Sequence, residues 1–396
     1  MTMIRNDQAR QTLLCGPASI AALPAELHQL DVTRVVLVSS PHASTSRGFQ
    51  AVRQALEGFD IVYEFTAVRP HAPIVDTEAL AAEVAGLDAG AFVAYGGGSV
   101  SDTAKAVSIL LAEGAPLGGH CSTFTPPDQL FQPQLRRPKL PVVSVPTTLS
   151  GAEVTPGGGA TDSAGIKRVF WDSKVASRVL IFDPLALQDV PPDIVLTSGM
   201  NGLAHCAEAL YSRSASPVTD ALALEGARRF AAALPTYAEG DRTDDLASEL
   251  LLAAYFGGIV ISNARVGLHH AVCHVLGALL GVPHGVANTV MLPYVLQFNA
   301  DETEAKQQLL GLALAAGLGI EPGRPASLLV RDIQLACNLP TTLQEAGVRY
   351  EELDRVAEAV MQDRGLYFNP KVVTDASVVR ALLENAYTGT LLAVAA

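Results

Sequence analysis

Through residue 182 this chain alternates short β-branched and aromatic runs with longer stretches of helical periodicity, and beyond residue 191 the short runs stop. Arg34-Val-Val-Leu-Val38, Ile61-Val-Tyr-Glu-Phe65, Ala91-Phe-Val-Ala-Tyr95, Pro141-Val-Val-Ser-Val145 and Arg178-Val-Leu-Ile-Phe182 read as strands, with a shorter one at Thr12 to Cys15. Most are separated by segments long enough for a crossover helix, which parallel strands require because a tight turn can only reverse the chain. The expected fold class is therefore α/β followed by all-α. Residues 1–190 form a parallel-sheet domain and residues 191–396 a helical one, with helices near 217–236, 243–262, 285–297, 302–316, 324–338, 350–361 and 375–387. Ser44 and Asp76 are expected to cap helices, residues 115–140 to form a surface connection without periodicity, and Gly157–Trp171 to form a hairpin.

Composition narrows the function. A length of 396 residues exceeds what one ordinary core serves, and 49% hydrophobic residues with a mean hydropathy of +0.28 are ample for two. The net charge of -13 excludes the basic face that nucleic acid or an anionic membrane needs, leaving small molecules as the expected partners. Five scattered cysteines without a CxxC pair argue for a reducing compartment. The longest apolar run, near Leu250 to Ile261, is shorter than the roughly 18 residues of a membrane span. A cytoplasmic location is expected.

Gly96-Gly97-Gly98-Ser99 lies where a strand meets a helix. Glycines there let a ligand approach the backbone, and first-turn N–H groups with the helix dipole suit a pyrophosphate. A tight turn made only for packing is equally compatible with the glycines alone. Pro146-Thr147-Thr148 ends another strand, and in an open α/β sheet both motifs face the crevice where ligands bind. A dinucleotide fits that arrangement. At the strand end expected to meet the adenosine ribose stand Ser39 and Ser40, with no acidic side chain to repel a 2′-phosphate, so NADPH is expected to serve at least comparably to NADH.

Five of the nine histidines fall between His205 and His284. On helices, His270 and His274 share a face, as do Asn201 and His205, while Pro283 suits a helix start with His284 in its first turn. If these helices meet, Asn201, His205, His270 and His284 surround one point. Three imidazoles and an oxygen suit zinc or iron, but an uncharged amide is a far weaker ligand than a carboxylate. The alternative is a pocket of neutral histidines, with His274 the first choice to donate a proton to a nascent enolate or alkoxide. His28, His42, His71 and His120 read as ordinary hydrogen-bonded core residues.

Taken together, these motifs resemble the iron-containing alcohol dehydrogenase superfamily, and within it the maleylacetate reductase branch. The resemblance rests on Gly96–Ser99 followed by Asp102 and Lys105, on Pro146-Thr147-Thr148, on Ser198–Asn201 with His205 and Glu208, and on the block from His270 to His284. It implies a Rossmann-like, dehydroquinate synthase-like fold: a dinucleotide-binding domain, a helical domain and hydride transfer in the cleft between them, in a homodimer. It assigns Gly97, Gly98, Ser99, Asp102, Thr147 and Thr148 to the cofactor, with Lys167 near the ribose. It puts His205, His270 and His284 on metal-ligand positions and His274 near the nicotinamide. Asn201, where metal-dependent members carry aspartate, and the short Pro146–Thr155 segment point to maleylacetate reductases. Pro283-His284-Gly285-Val286-Ala287-Asn288 and Ala271 point instead to the alcohol dehydrogenases.

The expected activity is NAD(P)H-dependent reduction of the conjugated C=C of maleylacetate or a related oxo-dicarboxylate, with catalytic His274, His270 and His205 and no required metal. Asn201 and Arg265 are the candidate substrate contacts, Arg265 for a carboxylate. A zinc- or iron-dependent alcohol dehydrogenase is the second reading. A fold-mate without redox function, such as a lyase, cyclase or regulator, is the third.

Overall fold

The computed structural model describes residues 4, 6–127 and 129–391. Its strands are β1 (Thr12–Cys15), β2 (Arg34–Ser39), β3 (Asp60–Phe65), β4 (Ala91–Gly96), β5 (Thr123–Thr125), β6 (Gln129–Phe131), β7 (Val142–Pro146), β8 (Gly157–Thr161), β9 (Lys167–Trp171) and β10 (Val179–Phe182). Six of them form one parallel sheet in the order β1-β10-β7-β4-β2-β3. The strands read as almost unbroken apolar runs because both faces are covered. Val36, Val38, Phe92, Ala94 and Val142 enter the core on one face; Val35, Leu37, Val93, Tyr95 and Val143 enter the core on the other. Register sets Gly96 opposite Pro146, so the glycine turn and the threonine loop leave the sheet side by side.

After the helix Pro192–Tyr211 begins, no strand occurs among the described residues. That helix is buried almost all round, from Val195 to Tyr211, as expected of the central member of a bundle. It packs against Pro217–Ala238 and Asp244–Asn263. The latter is 20 residues long and apolar enough by length and composition to cross a membrane, yet it places Leu250, Leu251, Ala254 and Val260 in the bundle core. Its Gly258 abuts the loop after β7, where an added Cβ would stand 2.6 Å from the Gly151 carbonyl oxygen. The helical half thus seats directly on the loop that carries Thr147 and Thr148.

Three local expectations are corrected. Ser46, not Ser44, caps the helix Arg47–Ala55 by accepting from Phe49 N at 3.2 Å, while Ser44 donates to Pro41 O within a preceding 3-10 turn. Asp76 lies inside the first turn of Ile74–Val84, where it pairs with Arg69. The connection at 115–140 contains the hairpin β5–β6, whose three-residue strands are too short to show alternation.

Candidate active site

Gly96 has φ +155°, and a Cβ there would stand 2.5 Å from Val100 Cγ2; at Gly97 it would stand 2.9 Å from Thr148 Cγ2. Gly97 caps the helix Gly98–Glu113, so the backbone turns into that helix with no side chain over its N-terminus. Thr147 N donates to Gly96 O at 3.1 Å, which locks the two loops together. Ser99 Oγ accepts from His71 N at 2.9 Å, and Asp102 accepts from Gly159 N at 3.2 Å, tying the helix to the hairpin β8–β9. Lys167 on β9 is exposed, and its charge adds to burial in depressing the pKa of His284. Ser39 is buried with its hydroxyl given to Tyr95 O at 2.8 Å, whereas Ser40 is half-buried and accepts from Ala43 N at 3.3 Å.

Behind the glycine turn, Lys105 is wholly buried and donates to the carbonyls of Ala152, Thr155 and Gly157 at 2.6, 2.8 and 3.1 Å. Burial pushes its pKa down to about 8 and pushes that of Glu153 up to about 7. Lys105 therefore braces the segment after the threonine loop. Lys105→Met is expected to cost roughly 2–4 kcal/mol in chemical denaturation, because three carbonyls and the Asp102 and Glu153 side chains lose their cationic partner. A change below about 0.5 kcal/mol, the usual surface range, would contradict that role.

Asn201, His205 and Glu208 follow one another along the face that Pro192–Tyr211 turns toward Leu268–Leu280, the helix of His269, His270 and His274. Gly281, at φ +69°, ends that helix, and Pro283 starts the next with His284 as its first residue. The rings converge: His205 stacks on His270 at 4.9 Å, His274 stacks on His284 at 5.9 Å, and His270 meets His284 at 5.8 Å. All the cluster members expected from sequence are thus brought together. Arg265 is exposed, with its guanidinium 4.8 Å from the Phe368 ring centroid.

The buried Glu208 carboxylate organises this pocket. One oxygen accepts from Gly267 N at 2.8 Å, and the other makes a very short hydrogen bond with His270 Nδ1. His270 is thereby fixed with its proton on Nδ1 and a lone pair on Nε2. Burial drives the pKa of His270 down to about 4 and those of His205 and His284 well below the ordinary value, so all three are neutral near pH 7. His274 differs: its side chain is 28% exposed and its Nδ1 faces Asp363 at 3.1 Å. Burial disfavours the Asp363 carboxylate, yet the His274 hydrogen bond and charge outweigh it and hold its pKa below the usual range.

The donor set offers a divalent ion three neutral imidazoles, those of His205, His270 and His284, but an uncharged amide at Asn201 in place of an anionic fourth ligand. The trio whose ligand atoms come within 4.8 Å of one another is Glu208, His269 and His270, and its atoms already bond to each other, to Gly267 N and to Asn288 O. At the position where charge matters most, His270 Nε2 stands 3.3 Å from the Asn201 side-chain oxygen. With the amide turned end for end, its NH2 would donate to that lone pair and satisfy His270 without an ion. An aspartate cannot do so without a proton or a cation between the two acceptors. His205 Nδ1 and Asn288 Oδ1 are buried here without a hydrogen-bond partner among the described residues.

Of the two carboxylates that hold the cleft histidines, only Glu208 belongs to a sequence motif. Glu208 shares a helix face with Asn201 and His205 and is legible by spacing; Asp363 lies 89 residues from His274 in no recognisable motif.

Residues 11–184 match the iron-containing alcohol dehydrogenase family, and residues 195–387 match the C-terminal part of the Fe-containing alcohol dehydrogenase family. The chain belongs to the iron-containing alcohol dehydrogenase superfamily. It is 31% identical over 376 residues to a maleylacetate reductase of Burkholderia cepacia, covering 94% of this chain and 95% of that one. The crystal structure of maleylacetate reductase from Rhizobium sp. strain MTP-10005 superposes with a TM-score of 0.82 at 27% identity, covering 98% and 99% of the two chains. A 1,3-propanediol oxidoreductase shares the fold at a TM-score of 0.86 and 24% identity, over 98% and 100%. This member of the superfamily is an NAD(P)-dependent oxidoreductase near the maleylacetate reductase branch. The family description carries iron, so membership itself lends no support to a metal-free site.

Proposed function

We propose that this oxidoreductase reduces the conjugated C=C of maleylacetate or a closely related oxo-dicarboxylate with NADH or NADPH. The observation that carries the reading is His274, the one cleft histidine held by a carboxylate and open to solvent amid three that burial keeps neutral. The nicotinamide, when bound, supplies a hydride to the carbon β to the ketone. The C=C electron pair shifts to form the enolate double bond as the carbonyl pair moves onto the ketone oxygen, and His274 delivers the proton to the carbon α to the ketone, giving the saturated ketone. Asp363 orients the imidazole through Nδ1, leaving Nε2 for that transfer. Neutral His205 and an amide N–H of Asn201 stabilise the developing oxyanion by hydrogen bonding, while His270, its one proton given to Glu208, holds the Asn201 amide in place.

The cofactor contacts are Gly97, Gly98, Ser99, Asp102, Thr147 and Thr148, with Ser40 and Lys167 toward the adenosine ribose. Residues 1–190 and 191–396 are the two domains, in a cytoplasmic homodimer. Because the turned Asn201 amide would satisfy His270 without an ion, the reduction proceeds without a required metal.

Pro283-His284-Gly285-Val286-Ala287-Asn288 and the family description favour a second reading, a metal-dependent alcohol dehydrogenase in which His205, His270 and His284 hold zinc or iron. One anaerobic assay separates the two. Maleylacetate should be reduced with both cofactors, with Michaelis constants for NADPH no higher than for NADH, by protein stripped with chelator. Stoichiometric metal whose removal abolishes turnover, or turnover confined to simple aldehydes, would overturn the first reading.

A further inference from the structure

Asp363-Arg364-Gly365 runs past the start of the histidine helix. Gly365 is packed so closely there that a Cβ would stand 2.7 Å from the Gly267 carbonyl oxygen. Four residues further on, Asn369 makes a buried contact with Leu268 N at 3.4 Å. Between these anchors Tyr367 meets Phe124 of the β5–β6 hairpin, with ring centroids 5.4 Å apart, so the segment reaches from the helical half to the sheet half. It is a wall of the cleft beside His274.

The charges on that wall do not balance. Asp363 commits one oxygen to Gly365 N at 2.7 Å and the other to His274 at 3.1 Å. Arg364 is half-buried, and among the described residues no hydrogen bond or ion pair engages its guanidinium. Two charges act on it: Asp363 favourably, and Arg265 unfavourably. Arg265 in turn lies over Phe368 with no carboxylate partner among the described residues. Burial disfavours the Arg364 charge, and the one acid that favours it, Asp363, is already committed to Gly365 N and His274, although acidic residues outnumber basic ones in this chain, 40 to 27. Such an arrangement is unfavourable until an anion enters, and the guanidinium fork matches a carboxylate bidentately.

We propose that Arg364, assisted by Arg265, is the subsite that grips a carboxylate of the substrate and selects dicarboxylates over neutral carbonyl compounds. The inference rests on the oxo-dicarboxylate reading above and adds to it the side chain that enforces the choice. Arg364 is a binding residue here and takes no part in proton transfer.

The test measures ligand binding separately from turnover. Succinate serves as an unreactive dicarboxylate, read by thermal shift of the cofactor-bound enzyme and by competitive inhibition. Maleylacetate and its neutral dimethyl ester serve as substrates. Arg364→Gln is expected to weaken succinate binding and raise the maleylacetate KM at least about tenfold, the loss of one or two charge-assisted hydrogen bonds. The ester KM and the cofactor KM should hold within about threefold on the same grounds. Arg364→Lys should recover part of the affinity, and Arg265→Gln should show a smaller loss in the same direction, which keeps the proposal testable if Arg364→Gln folds poorly. Succinate binding that is absent in the unmutated enzyme, or equal in all variants, would overturn the subsite. So would an effect confined to the cofactor. Arginine-dependent succinate binding by an enzyme that cannot reduce maleylacetate would instead leave the subsite standing and remove the proposed reaction.

Discussion

Replacing His274 with alanine is expected to lower kcat for maleylacetate by about a hundred- to ten-thousandfold, the range that a positioned general acid contributes, while leaving the NADPH KM within a few-fold. The cleft leaves few substitutes. His205, His270 and His284 are driven toward the neutral form by burial, and His270 has its Nδ1 proton committed to Glu208. A neutral imidazole still donates a hydrogen bond, but it is a poor reservoir for a proton that must leave with the product. Asp363→Asn should give a smaller loss, about tenfold, because the amide can still hold the ring through Nδ1 but replaces a charge-assisted hydrogen bond with a weaker neutral one. The paired measurement is decisive. If His274→Ala retains activity within about threefold, the enolate takes its proton from elsewhere and the assignment fails.

Much of this site is written in short-range patterns. The glycine turn is visible because a strand, a run of Gly and a helix follow one another without a break, and the same order places Gly97 at the cap of Gly98–Glu113. The histidine cluster is visible because residues four apart on a helix share a face, and Pro283 and Gly281 mark where one helix stops and the next starts. The isolated histidines expected in the core are not there: His28, His42 and His71 are exposed and His120 is half-buried, although His28 bonds to Pro24 O at 2.7 Å and His120 to Gly114 O at 2.6 Å.

What the chain conceals is the partner that arrives from far away. Asp363 and Arg364 sit in a turn with no periodicity, and only the packing of Gly365 on Gly267 brings them to His274. Likewise nothing local reveals that Lys105 points inward to three carbonyls, since a lysine on an amphipathic helix ordinarily reads as solvent-facing. The β5–β6 hairpin escapes for the opposite reason: each strand is local but too short to show a period.

Asn201 is where the two readings of the cleft part, and one substitution separates them. In metal-free protein, Asn201→Asp sets a buried carboxylate 3.3 Å from the His270 Nε2 lone pair, with Glu208 on the opposite edge of the same ring. Two acceptors then face each other across His270, and the expected cost is roughly 1–3 kcal/mol of stability, the penalty of a buried polar group left without its partner. A divalent ion reverses the sign, because three neutral imidazoles would gain an anionic fourth donor. Asn201→Asp is therefore expected to bind zinc about a hundredfold more tightly than the unmutated chain, a difference of about 2.7 kcal/mol, and to recover its lost thermal stability as zinc is added. The check is a pair of melting curves and a competitive zinc titration for each protein. If the unmutated chain already binds zinc as tightly as Asn201→Asp, the amide is an adequate ligand and the cleft is a metal centre after all. If only the variant does, the asparagine is what keeps this pocket a place for hydrogen bonds and protons.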